Sequence, residues 1–271
     1  MRRGKLGTTT CLGGILVLII LIVLLGTPLI ADVDPLSQDL RSTLRAPSAD
    51  HWLGTDQLGR DVLSRVVSGG KMTITIAALT TLMGTAAGLL LGVCGGYFGA
   101  KAEAAAMRAI DILMALPDLL LALTLVAAMG YGTHSVIVAV GAASIPSIAR
   151  VTHGVTKRCK EEGYVSAAHA IGATHKGIIF RHIIPNIASA VLSIASIRWC
   201  RNILLVSGLS IVGIGVQPPA AEWGLMIAEG RLYLSTQPLI VLVPAALIIA
   251  VSIGLNLIGI GLRERRSRVG Y

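Results

Sequence analysis

Apolar runs long enough to cross a bilayer alternate with short polar stretches along this chain. A helix needs about 20 apolar residues to cross about 30 Å of hydrocarbon. The first such run extends from Cys11 to Ile30, behind Arg2, Arg3 and Lys5. It is long for a signal-peptide core, and no small-x-small cleavage site precedes Asp32, so it reads as an uncleaved span. Further spans are predicted at about 72–98, 107–129, 135–149, 186–213 and 239–262. The chain thereby divides into a cytoplasmic N-terminus 1–11, a first transmembrane helix 12–31, an extracytoplasmic segment 32–71, a five-helix core 72–262 containing a cytoplasmic polar loop 150–185, and a cytoplasmic tail 263–271. The expected fold class is an all-α polytopic membrane protein with six transmembrane helices.

Local patterns refine this outline. Gly84, Gly88 and Gly92 repeat a small-xxx-small step that allows a neighbouring helix to approach closely, without saying which one. Asp111, Pro117 and Asp118 make the start of the third span irregular, and Pro146 is expected to bend the end of the fourth. In the extracytoplasmic segment a short surface helix is predicted from Gly59 to Val67, capped by Thr55 or Asp56. Asp56 and Arg60 are four apart, as are Asp61 and Arg65, which predicts ion pairs across one helical turn on the outer surface rather than a catalytic acid–base cluster.

Composition agrees with the pattern. Residues are 54% hydrophobic and 14% charged, with a mean hydropathy of +0.77, whereas soluble domains carry about 25% charge. The net charge of +9 reports orientation rather than nucleic acid, because most lysines and arginines fall on the side assigned to the cytoplasm. Residues 32–71 depart from that bias with Arg41, Arg45, Arg60, Arg65 and Lys71. Arg198 and Arg201 are the least expected residues, since they lie well inside the fifth span. Charges there face a bundle interior or an aqueous path, or else reach water by snorkelling or through a broken span, so Arg198, Arg201 and neighbouring Asn202 are candidates for lining an interior path or pairing with a partner subunit.

Other chemistry is missing. Cys11, Cys94, Cys159 and Cys200 are scattered, and the histidines at 51, 134, 153, 169, 175 and 182 form no H-x-x-x-H pair, so no metal site is expected. Gly4-Lys5 and Gly70-Lys71 lack the context of a phosphate loop, so the chain is expected to bind no ATP and no other cofactor.

The polar stretch 150–186 carries Arg150, Lys157, Arg158, Lys160, Lys176 and Arg181 between apolar spans. Within it Val165, Ala167, Ala168, Ile171 and Gly172 recur at helical spacing, which predicts a short helix lying crosswise at the membrane edge. Periodicity leaves open whether this helix couples to a partner or is a solvated interfacial loop. EEGYVSAAHAIGATHKGIIFRHIIPN resembles the EAA loop of permease subunits of ATP-binding cassette importers. HWLGTDQLGRDVLSR, MRAIDILMALP, LSIVGIGVQPPAAEWGLMI and NLIGIGLRE resemble signatures of the C-type permease of the dipeptide, oligopeptide and nickel group.

The resemblance implies a type I importer permease in a bacterial cell inner membrane, with both termini cytoplasmic. It implies a second homologous permease, one or two cytoplasmic ATPase subunits carrying ATP and magnesium, and an extracytoplasmic solute-binding protein, with lipid around the bundle. Glu161, Glu162, Gly163, Ala167, Ala168, His169, Gly172, Ala173, His182 and Pro185 would couple to the ATPase. Asp56, Arg60, Asp61, Arg65 and Trp223 would lie near the external mouth. Ser166 stands where the family often has glutamate, His169 where arginine is common, and Ile260 where the group usually has aspartate. The implied function is non-catalytic: a path for di- or oligopeptides, with nickel or metal-chelate import as the alternative. An ion-coupled secondary transporter or a membrane enzyme fits less well, because neither internal repeats nor convergent catalytic groups are seen.

Overall fold

A computed structural model describes residues 8–26 and 34–268 of the chain, with side chains described as far as residue 264. Arg2, Arg3 and Lys5, the end of the first span and residues 269–271 lie outside what is described.

The described residues form α1 (Thr8–Gly26), α2 (Val62–Tyr97), α3 (Ala100–Met114), α4 (Asp118–Met129), α5 (Thr133–Lys160), α6 (Gly163–Ala170), α7 (His175–Ile178), α8 (Ile184–Ile211), α9 (Trp223–Gly230) and α10 (Leu239–Arg268). Five helices are long and apolar enough to cross a membrane, and the bent pair α3–α4 brings the number to six.

Three boundaries differ from the sequence reading. The surface helix expected at 59–67 does not exist separately: α2 starts at Val62 and runs 36 residues without a break. At 1.5 Å per residue it is about 54 Å long, well beyond the hydrocarbon thickness, so it must tilt or protrude. Its cap is Asp61, whose side chain accepts from the Ser64 amide, rather than Thr55 or Asp56. Gly54 and Gly59 have φ of +77° and +70°, and a Cβ on Gly59 would lie 1.8 Å from the Asp39 carbonyl oxygen. The stretch before Val62 is therefore a tight loop pressed against its own backbone, not a helix.

The third span is also not one helix. It begins at Ala100 and breaks at residues 115–117, where α3 and α4 meet at 84°. Pro117 supplies the cause, since it lacks an N–H and disfavours helical geometry at the residue before it. The fourth span does not stop at Ala149. α5 continues through Pro146 to Lys160 and carries Lys157, Arg158 and Lys160 in its last turn, where cations suit the negative end of the helix dipole.

The glycine step on α2 finds its partner in α5. A Cβ on Gly84 would lie 2.6 Å from the Ser144 Cβ, on Gly88 2.9 Å from the Ile148 Cβ, and on Gly92 2.5 Å from the Thr152 Cβ. On the other side α1 packs on α10, with Gly13 against the Gly254 carbonyl. One apolar cluster joins α1, α2, α8, α9 and α10 through Leu24, Val66, Ile203, Trp223 and Val251. A second joins α2, α4, α5 and α8 through Ile76, Val126, Val140 and Val206.

Candidate functional site

The polar loop between α5 and α8 is built in three pieces. Glu161 closes α5 and Glu162 stands at the N-cap of α6, both exposed. α6 then runs from Gly163 to Ala170 and ends at Gly172, with φ of +83°. The Ala173 amide donates to the Ala168 carbonyl at 3.0 Å and the Gly172 amide to the His169 carbonyl at 3.0 Å. This paired closure around a left-handed glycine is the Schellman motif, and it explains why glycine occupies position 172.

The predicted apolar face of α6 splits in two. Val165 and Ala168 are buried in a cluster with Val93 of α2, Cys159 of α5, Ile183 just before α8 and Ile187 in its first turn. Ala167 and Ile171 face outward, Ile171 at 85% exposure. The helix is thus keyed to three spans by one side and open on the other. A groove of about 480 Å³ adjoins the open side, lined by Tyr164, Ala167, Ile171, Ala173, Arg181 and His182 among others.

His169 turns toward its own chain. The Tyr97 hydroxyl, on the last residue of α2, lies 3.2 Å from His169 Nε2 and 2.9 Å from His175 Nδ1. The sequence reading named His169 but missed Tyr97, whose role depends on a contact 72 residues away in the chain. His182 lies with its ring 6.2 Å from that of Tyr164. A π-helical turn at Ile179–Ile183 precedes Pro185, which sits in the first turn of α8. The Asn186 side chain donates to the His182 carbonyl at 2.6 Å there.

At the other end of the bundle the four predicted charges meet, though not as two helical pairs. Asp56 accepts from Arg60 Nε at 2.6 Å and stands 3.3 Å from Arg65 Nε. Its other oxygen accepts from the backbone amides of Leu58 and Arg60. The Asp61–Arg65 pair does not form, because Asp61 is committed to the α2 cap and to His51 Nδ1 at 3.0 Å. Arg65 instead donates to Glu229 Oε2 at 2.8 Å, and Arg60 reaches the same oxygen at 3.2 Å. Nor is the cluster a surface one: Asp56, Arg60 and Arg65 are each 2% exposed.

Beside this cluster Trp223 is fully buried and donates its indole N–H to the Val66 carbonyl at 2.8 Å. Glu222 caps α9 through the Leu225 amide and accepts from the Thr73 hydroxyl at 2.9 Å. α9 is thereby fastened to the N-terminal part of α2 through both its backbone and its acids. Glu222 and Glu229 were not singled out in sequence, although both fall in the stretch that surrounds Trp223.

Of the mid-span residues, Asn202 is buried and structural in its contacts. It accepts from Ser144 at 2.9 Å and donates to Thr81 at 3.0 Å, linking α8 to α5 and α2. Arg198 is buried and pairs within the chain with Asp118 Oδ2 at 2.7 Å. Arg201 is exposed and has no ion-pair or hydrogen-bond partner among the described residues.

Comparison with known proteins puts this geometry in context. The family described as binding-protein-dependent transport system inner membrane component matches residues 84–266. Glutathione transport system permease protein GsiD of Pectobacterium atrosepticum is 38% identical over 218 residues, covering 80% of this chain and 72% of its own. Probable D,D-dipeptide transport system permease protein DdpC of Escherichia coli K12 is 34% identical over 264 residues, covering 97% and 88%. Among solved structures, an inward-facing MetNI methionine ABC transporter chain matches with a TM-score of 0.59 at 19% identity, covering 76% of this chain and 95% of that one. An amino acid ABC transporter chain, in a structure with histidines, matches with a TM-score of 0.56 at 17% identity, covering 74% and 94%.

Proposed function

The chain belongs to the inner-membrane components of binding-protein-dependent transport systems, and from that premise we propose that it forms, with a second permease, the path by which di- and oligopeptides enter the cell. It is a permease subunit of an ATP-driven importer and carries no catalysis of its own. The ATPase belongs to a partner, which holds ATP and magnesium, and an extracytoplasmic binding protein delivers the solute.

The observation that carries the proposal is the construction of α6. Its inner side is wedged among α2, α5 and the start of α8 while its outer side is open. A partner that pushes on Ala167 and Ile171 moves three spans together. Glu161, Glu162, Gly163, Ala167 and Ala168 belong to this contact, with Gly172 and Ala173 fixing its end. His169 holds the helix to Tyr97, and His182 with Pro185 joins it to α8 through the π-helical turn, a device frequent at functional sites. Closing of the ATPase dimer is then transmitted as a switch between inward- and outward-facing states.

Asp56, Arg60, Asp61, Arg65 and Trp223 hold the external mouth by tying α9 to the loop before α2. Arg198 and Asn202 brace α8 against α4, α5 and α2, and Arg201 faces the path. Glutathione and D,D-dipeptides, named for the two relatives, set the substrate class to test. The test is uptake by the assembled complex in proteoliposomes with its binding protein. ATP-dependent accumulation of either compound is expected, and its loss when α6 is deleted. Full accumulation by a complex lacking α6 would defeat the coupling role.

A further inference from the structure

α4 has 12 residues and is therefore about 18 Å long, against about 30 Å of hydrocarbon. Measured inward from its outer end at Gly130, the break at residues 115–117 falls at membrane depth. Irregular backbone survives there only against protein or beside a water-filled cavity. Asp118 is the first residue of α4 after this break, and its side chain is 47% exposed. One of its oxygens takes Arg198 Nη1 at 2.7 Å, while the other has no partner among the described residues. Arg198, with its side chain 9% exposed, fixes the direction in which this carboxylate points.

Arg201 lies one turn further along α8, on the side next to Arg198. It is ten residues from the end of α8 at Ile211, which puts it about 15 Å in, close to the depth of Asp118. It is exposed and unpartnered among the described residues. A free guanidinium at that depth is costly unless it meets water or an anion. The break therefore carries a half-open acid and an open base at nearly one level.

We infer that Asp118 and Arg201 form a station for zwitterionic peptides, an inference that rests on the peptide-importer reading above. The Arg201 fork suits a terminal carboxylate, which it binds through two parallel N–H bonds. The free oxygen of Asp118 accepts from a terminal ammonium. Arg198 is a positioning residue: it orients Asp118 and keeps it from pairing with Arg201 when the station is empty. A discontinuous helix at membrane depth is a place where substrates are commonly held in transporters. A carboxylate of the second permease is the other group that Arg201 could meet, and the test separates the two.

The assembled importer is reconstituted in proteoliposomes with D-alanyl-D-alanine and glutathione as probes, and peptide imported per ATP hydrolysed is measured. A lost charge-assisted bond predicts a fall on the order of 10-fold or more for Arg201→Gln and for Asp118→Asn. Arg201→Lys, which keeps the charge but loses the fork, recovers only part of it, and Leu192→Ala, exposed on the opposite face of α8, changes nothing. All variants co-purify with the second permease. An Arg201→Gln complex that falls apart assigns Arg201 to the permease interface and overturns the station. Unchanged peptide per ATP in Arg201→Gln also overturns it while leaving the importer reading intact. A wild-type complex that imports neither probe overturns the peptide reading and the station together.

Discussion

Asp56 holds two guanidinium groups in a site that water barely reaches, and Glu229 closes the arrangement from α9. Two cations and two carboxylates balance there. Removing one partner leaves a buried charge uncompensated, which costs about 3–5 kcal/mol. Asp56→Asn is therefore expected to lower the thermal unfolding midpoint in detergent strongly, and Glu229→Gln to a lesser extent because Glu229 is 18% exposed. Equal midpoints for Asp56→Asn and wild type would remove the cluster from the account. The Asp56–Arg60 pair was expected from helical spacing, and it forms, but in a loop rather than across a helical turn. The partner of Arg65 was not, because Glu229 lies 164 residues away and nothing local points to it. Asp61 looked like Arg65's partner until the helix cap claimed it.

At the scale of elements, the glycines on α2 set the distance to α5. Val at position 92 would drive its Cβ into Thr152 and the Ala149 carbonyl. Gly92→Val is expected to destabilise the chain by about 1–3 kcal/mol, whereas Gly14→Ala, with no atom within 4 Å, shifts it by less than about 1 kcal/mol. Equal unfolding midpoints for the two variants would argue against the α2–α5 seam. The small-xxx-small step was visible in sequence, but its partner helix depends on tertiary packing that periodicity does not encode. Pro117 was visible too, yet a proline does not say whether a span bends slightly or by 84°.

Gly172 belongs to this scale as well, because it ends α6. Ala there must adopt a left-handed φ, at about 1–2 kcal/mol. Gly172→Ala is expected to loosen the end of the coupling helix and to raise ATP hydrolysed per solute imported. An unchanged ratio would mean that the end of α6 does not need its Schellman closure for coupling.

For the whole molecule, hydropathy made the spans legible, and the order of polar motifs made the family legible. Less legible was how the polar loop divides. Its first eleven residues, 150–160, complete α5, its middle forms α6, and its end merges into α8. Charge alone marked the loop as one aqueous segment, because the basic end of a long span and the coupling helix look alike in composition. The buried half of α6, through Val165 and Ala168, ties the loop mechanically to three spans. Ser166 and His169 depart from the family's charged pattern, so the proposed contact with the ATPase would rest more on the open apolar side of α6 than on ion pairs.

That contact is the central claim, and Ile171, 85% exposed at the C-cap of α6, is the place to test it. Ile171→Cys in the assembled complex should crosslink to the ATPase subunit with a short bifunctional reagent, with a yield that changes when ATP is added. An assembled, transporting complex in which Ile171→Cys reacts only with membrane-impermeant reagent from the extracytoplasmic side, and never reaches the ATPase, would contradict the account.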